Sequence, residues 1–126
     1  MFCVTAKVGS MFAVYDSVDF TVEWVNRVQL ESYIRQGVQI SGVTSSGVSL
    51  NLGITVPYDK CIWTKSRKCI FDVADRVQLS SDCIIVYAEG KKYKGKFKAN
   101  LATEKVYKFS NGINVIIPFS VLSKFL

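Results

Sequence analysis

Between Gly90 and Lys98 the chain reads GKKYKGKFK, five lysines in nine residues with Tyr93 and Phe97 set among them. On an extended strand successive side chains point to opposite faces, so Lys92, Lys94, Lys96 and Lys98 share one face and Tyr93, Gly95 and Phe97 the other. Lysine binds phosphate as a point charge that carries little sequence information, and aromatic rings stack on bases. The chemistry suggested is recognition of an anionic, nucleotide-like ligand or of nucleic acid. In that reading Lys92, Lys94, Lys96 and Lys98 neutralise phosphate, Tyr93 or Tyr107 stacks on a base, and Arg67 adds a bidentate phosphate contact. The plainer alternative is a solvated strand, its aromatics covering the core and its lysines protecting a sheet edge from pairing with another chain. Four like charges in one row repel, and an anion would relieve them. Gly95 allows a backbone or ligand to come close, or marks a bulge.

The charge distribution draws attention to the same stretch. Of sixteen basic and ten acidic residues, seven lysines and one acid, Glu104, fall between positions 91 and 108. That leaves nine of each sign elsewhere, so the formal net charge of +6 belongs to one segment of an otherwise neutral chain. Such a pattern marks a face rather than a generally basic protein. The second positive cluster is PYDKCIWTKSRK, residues 57–68, with Trp63 in its middle.

Several chemistries are excluded. The chain has no histidine, so Ser-His-Asp and Cys-His arrangements cannot form within it. It contains neither a G-x-x-x-x-G-K-[ST] phosphate loop nor a G-x-G-x-x-G turn. Its acids are dispersed, and Asp72 and Asp75 form a lone pair without a third partner. No catalytic residue, metal ligand or cofactor site is assigned. Cys3, Cys61, Cys69 and Cys83 lack C-x-x-C spacing and sit among apolar neighbours, as buried reduced thiols do. No run of about 18 apolar residues is present to cross a membrane. The first residues, interrupted by Lys7 and Asp16, do not read as a signal peptide. A cytoplasmic protein of one domain, residues 1–126, is expected.

The elements that must position these residues are mostly strands. Residues 2–8 and 11–15 flank a hairpin turn at Gly9-Ser10, and residues 19–25 alternate with Phe20, Val22 and Trp24 on one side. The spacing of Val28, Leu30, Tyr33 and Ile34 predicts a helix capped by Asn26 and stopped by Gly37. Strands follow over VQISGV and VSLNLGITV. In TKSRKCIFDVADRVQL, Cys69, Ile70, Val73, Ala74 and Val77 fit a second helix, although Cys69, Phe71 and Val73 also fit a strand. Residues 83–88 and 92–99 form a hairpin around Glu89-Gly90-Lys91. VYKF and INVII form another around Ser110-Asn111-Gly112. Pro118 opens a last helical turn carrying Phe119 and Leu122. The fold class is α+β, a mainly antiparallel β-sheet with one or two short helices packed on it.

Residues 12–43 add a resemblance. V-Y-D at Val14–Asp16, V-E-W-V at Val22–Val25 and L-x-x-Y-I-x-x-G-x-x-I-x-G-V from Leu30 to Val43 resemble a pattern in small α+β proteins of bacteriophages and prophages. The resemblance covers about a quarter of the chain and assigns no residue a role. It implies a compact protein that binds and interferes, and a counter-defence protein sequestering a nucleotide signal in the host cytoplasm is one such function. The expectation is thus a non-enzymatic binder of a nucleotide-like anion, most simply a homo-oligomer. Two alternatives stand beside it. One is a protein-interaction or inhibitor module whose basic face meets an acidic protein partner, with an exposed apolar patch rimmed by lysines. The other is a nonspecific binder of single-stranded nucleic acid.

Overall fold

A computed structural model describes residues 2–44, 47–48, 55–110 and 112–125. The strands are β1 (Phe2–Val8), β2 (Met11–Asp16), β3 (Thr21–Asn26), β4 (Ile40–Ser41), β5 (Val43–Thr44), β6 (Gly47–Val48), β7 (Thr55–Pro57), β8 (Ala74–Leu79), β9 (Cys83–Ala88), β10 (Lys91–Asn100), β11 (Glu104–Phe109) and β12 (Asn114–Pro118). Helix α1 (Arg27–Arg35) follows β3, and the short α2 (Phe119–Leu122) follows β12. The strands form a four-stranded sheet in the order β3-β2-β1-β4, a six-stranded sheet in the order β7-β12-β11-β10-β9-β8, and the small β5-β6 pair.

The fold is α+β, but neither large sheet is wholly antiparallel. β1 pairs in parallel with β4, and β12 with β7. Both parallel strands are short edge segments that the chain reaches through long connections, so no tight turn announces them.

Alternation along β1 to β3 gives the four-stranded sheet two apolar faces. Val4, Phe12, Val14 and Val25 pack with Leu30 of α1 on one side. Cys3, Tyr15 and Val22 join the six-stranded sheet on the other, where Ile84, Val86, Tyr107, Val115 and Ile117 supply the main core. Each such fully buried side chain contributes about 1.5–3 kcal/mol of transfer free energy. The layers are therefore helix, small sheet, large sheet.

The cap and stop signals of α1 operate as expected. The Asn26 side chain accepts from the Gln29 amide at 2.8 Å, and the Gln29 side chain accepts from the Asn26 amide at 2.8 Å. This reciprocal box stabilises the helix start by about 1 kcal/mol. At the other end Gly37 takes φ +86°, while Val38 donates to the Tyr33 carbonyl and Gly37 to that of Ile34. Those two bonds close a Schellman stop. Of the predicted apolar stripe only Leu30 is buried, and Val28 is 69% exposed.

The second helix is absent. Residues 64–68 make a tight loop, with Thr64 donating to the Lys68 carbonyl at 2.8 Å and Arg67 to that of Thr64 at 2.9 Å. Trp63 and Cys69 form a bridge across its base. Cys69, Ile70 and Phe71 are all buried. Three consecutive buried residues do not fit one face of a helix. The remainder, Ala74–Leu79, pairs with β9 as the strand β8. Of the expected strand over VSLNLGITV, Val48 lies in β6 and Thr55 and Val56 in β7, while residues 49–54 lie outside the described residues, as does Asn111 of the last hairpin turn.

Candidate functional site

Strand β10 carries both halves of the basic motif. It lies inside the large sheet, between β9 and β11, with Lys92 opposite Tyr87, Lys94 opposite Ile85 and Lys96 opposite both Cys83 and Lys108. The lysines therefore do not guard a sheet edge. Lys92, Lys94 and Lys96 are exposed on the outer face of the sheet. Among the described residues none of them has a carboxylate within ion-pair distance.

The regular pairing of β10 ends near Lys98. A register shift between Phe97 and Ala99 inserts an irregular step at Lys98 and breaks the alternation. Lys98 is exposed at that step.

The inner face of β10 explains Gly95 differently from a ligand approach. A Cβ at Gly95 would lie 2.8 Å from the Phe109 ring, which packs directly across from it. The glycine makes room for a core aromatic. Tyr107 likewise belongs to the core: it is 0% exposed and edge-on to Phe97, with ring centroids 5.9 Å apart. It cannot reach a base, and the expectation that it stacks on a ligand is corrected. Its hydroxyl is buried without a hydrogen-bond partner, and burial raises its pKa above the ordinary tyrosine value.

Tyr93 stands where it can act. It lies at the end of the large sheet beside a cleft of about 190 Å³. One wall is Ala6–Val8 at the end of β1, a second is Cys61–Trp63, a third is Lys91–Tyr93, and Phe109 and Ser110 complete it. The Lys91 ammonium lies 5.3 Å from the Tyr93 ring centroid. Lys7 lines the cleft while its ammonium rests 5.6 Å from the Phe12 centroid. The ammonium that lies against a ring of the cleft is thus that of Lys91, and Lys92 joins the lining. Of the eleven lining residues three are lysines, three are aromatic and none is acidic.

The wall at Cys61–Trp63 is held from both sheets. Thr5 in β1, fully buried, donates its hydroxyl to the Lys60 carbonyl at 3.0 Å. Ser66 donates toward the two carboxylate oxygens of Glu89 at 2.9 and 2.6 Å. That hydrogen bond holds the Glu89 carboxyl below the usual carboxylate range. Trp63 meets Trp24 of β3 edge-on at 4.8 Å, and the Arg67 guanidinium lies 5.8 Å from the Trp24 centroid. Arg67 is exposed, adopts φ +62° and does not line the cleft.

Sequence reasoning placed Lys92 and Tyr93 at the site and missed Lys91, Lys7 and the Phe109-Ser110 wall. Parity alone carries the Lys91 signal, since it shares the inner face with Tyr93. All four cysteines are free thiols, and Cys3, Cys61 and Cys69 are buried. Cys61 faces the cleft, but burial pushes its thiol far up and keeps it protonated. Cys69 is pushed up to about 11 by the same cause. Among the described residues no group of three metal-ligating side chains is gathered, and no helix is long and apolar enough to cross a membrane. No family model, curated protein or solved structure matches the chain.

Proposed function

We propose that this protein is a non-enzymatic binder of an anionic, nucleotide-like ligand. The base lies in the cleft against Trp63 and Tyr93, and phosphate meets Lys91 and Lys92 at the mouth. One observation carries the reading: the cleft lining combines aromatic walls with lysines and includes no acid. Burial holds the Cys61 thiol protonated, so it offers no thiolate there. A protein that binds without turnover removes its ligand from solution. That is the sequestering role in a host-cell cytoplasm that the bacteriophage resemblance implies. Assembly into a homodimer belongs to the same proposal, and the solution mass tests it.

The rival protein-interaction reading called for an exposed apolar patch rimmed by lysines. Among the described residues the most exposed large apolar side chains, Val18, Phe20 and Val28, lie off β8 to β12, while Leu101 directly follows β10 and Phe119 directly follows β12. On the lysine face the apolar surface is that of the half-buried Ile85 and Tyr87, a small centre for a protein interface.

The test is a thermal-shift panel of mononucleotides, cyclic nucleotides and ADP-ribose-type compounds. A ligand at about 100 times its dissociation constant stabilises the fold by about 2.7 kcal/mol. The shift is expected to survive moderate salt and to vanish in Lys91→Ser. Absence of a shift with every nucleotide overturns the reading and leaves an acidic protein partner.

A further inference from the structure

We propose that the cleft takes the terminal nucleotide of a single-stranded nucleic acid, whose following phosphates run along β10 over Lys92, Lys94 and Lys96. This rests on the cleft reading above and adds the ligand class, a polymer end rather than a free nucleotide.

Size comes first. Pockets that enclose a small organic ligand measure about 300–1,000 Å³. A cleft of about 190 Å³ holds a ring but not a whole nucleotide. The charged remainder must lie outside, and the charges waiting there form a line. Lys92 both lines the cleft and begins the row on the outer face of the sheet. Lys94 and Lys96 follow at about 6.7 Å intervals, the repeat of every second residue in a strand. That interval is close to the separation of successive phosphates in an extended polynucleotide.

The row is poorly explained by folding alone. Lys96 lies directly opposite Lys108 across β10 and β11. Like charges facing each other in a sheet destabilise it. Among the described residues no carboxylate lies within ion-pair distance of them. A chain of phosphates would, and the bulge at Lys98 sets where the straight row stops. The half-buried Ile85 and Tyr87 beside the lysines give a flat strip suited to a thin, flexible strand.

Isothermal titration of the full chain tests this with unlabelled oligothymidylates at low and moderate salt. The series runs from the mononucleotide through the di- and tetranucleotide to the octanucleotide, with a linear and a circular strand of equal length as the last pair. Affinity should climb at least tenfold from mononucleotide to tetranucleotide and then level off. The circular strand should bind at least tenfold more weakly than its linear counterpart. The slope of log K against log salt should steepen by about 0.7 for each phosphate neutralised. The double variant Lys94→Ser/Lys96→Ser, checked for an unchanged melting temperature, should lose the gain with length.

If the mononucleotide binds and the tetranucleotide binds no tighter, the polymer proposal is wrong and the cleft reading stands. If circle and linear strand bind alike, the cleft does not take an end, and the proposal is wrong in that form. If no nucleotide of any length binds, both fall together.

Discussion

Two hairpins meet at the cleft, and their turns solve one geometric problem in different ways. β1 and β2 are joined by Gly9-Ser10, where Gly9 takes φ +60° with open space around it. β9 and β10 are joined by Glu89-Gly90, with φ +51° and +75°, the mirror-image turn that fits strand twist. Glycine adopts that conformation freely, whereas glutamate does not. The second turn accepts the backbone cost and gains a carboxylate that Ser66 grips. The first hairpin holds the same chain segment from inside, through the buried Thr5 hydroxyl. The cleft wall at Cys61–Trp63 is thus clamped at one end by a neutral buried bond and at the other by an exposed charged one. Only the second clamp can respond to pH.

The largest blow to the second hairpin should come from Gly95→Ala. Its methyl would meet the Phe109 ring inside the core, and we expect a loss of about 3 kcal/mol in urea unfolding with an unchanged m-value. Loss of the first clamp through Thr5→Val leaves the Lys60 carbonyl without that donor. It should cost about 2 kcal/mol by the same measurement. An equal cost for Thr5→Val and Ser66→Ala would erase the distinction between the clamps. Gly9→Ala meets no side chain, so only its backbone conformation is penalised, by about 1 kcal/mol.

The smallest effect belongs to the exposed clamp and is read by pH. The folded Glu89 pKa is depressed, so its contribution is complete above the unfolded value of about 4.3 and is lost as pH falls through the lower folded value. The melting-temperature difference between the parent and Glu89→Gln should therefore be constant near neutrality and shrink on acidification below that value. A difference independent of pH would show that Ser66 and Glu89 are not coupled.

What could be read from the sequence follows the range of the forces involved. Asn26, Gly37, Gly9 and the Glu89-Gly90 turn act on their own neighbours, and each was identifiable where it stands. The loop at 64–68 was not, because its shape depends on the bridge between Trp63 and Cys69 and on Glu89 far along the chain. Within the site, alternation put Tyr93 and Lys92 on opposite faces of β10 correctly. Tyr107 was misjudged because its side chain faces the core between the two sheets, and nothing local distinguishes a core tyrosine from a rim one. The irregular step between Phe97 and Ala99 was not foreseen, since one such step in an otherwise regular strand leaves no compositional mark. That the 57–68 cluster and the lysine strand share one cleft is a tertiary fact, visible only once both sheets are assembled.

The parallel edge pairing has a consequence in time. β8, β9, β10 and β11 can zip successively as neighbouring hairpins, each closing a short loop. β7 cannot join them, because its partner is β12, and Thr55 must wait for Asn114. Closing that long loop carries an entropic cost that local hairpins avoid, and folds rich in such contacts fold slowly. Phe109 ends β11 and Ser110 begins the turn into β12, while Cys61–Trp63 follow β7. The two walls are therefore brought together by the slowest closure of the large sheet. Refolding should give a meander with native-like strands before it gives a competent site, and ligand added early in refolding should find no place to bind.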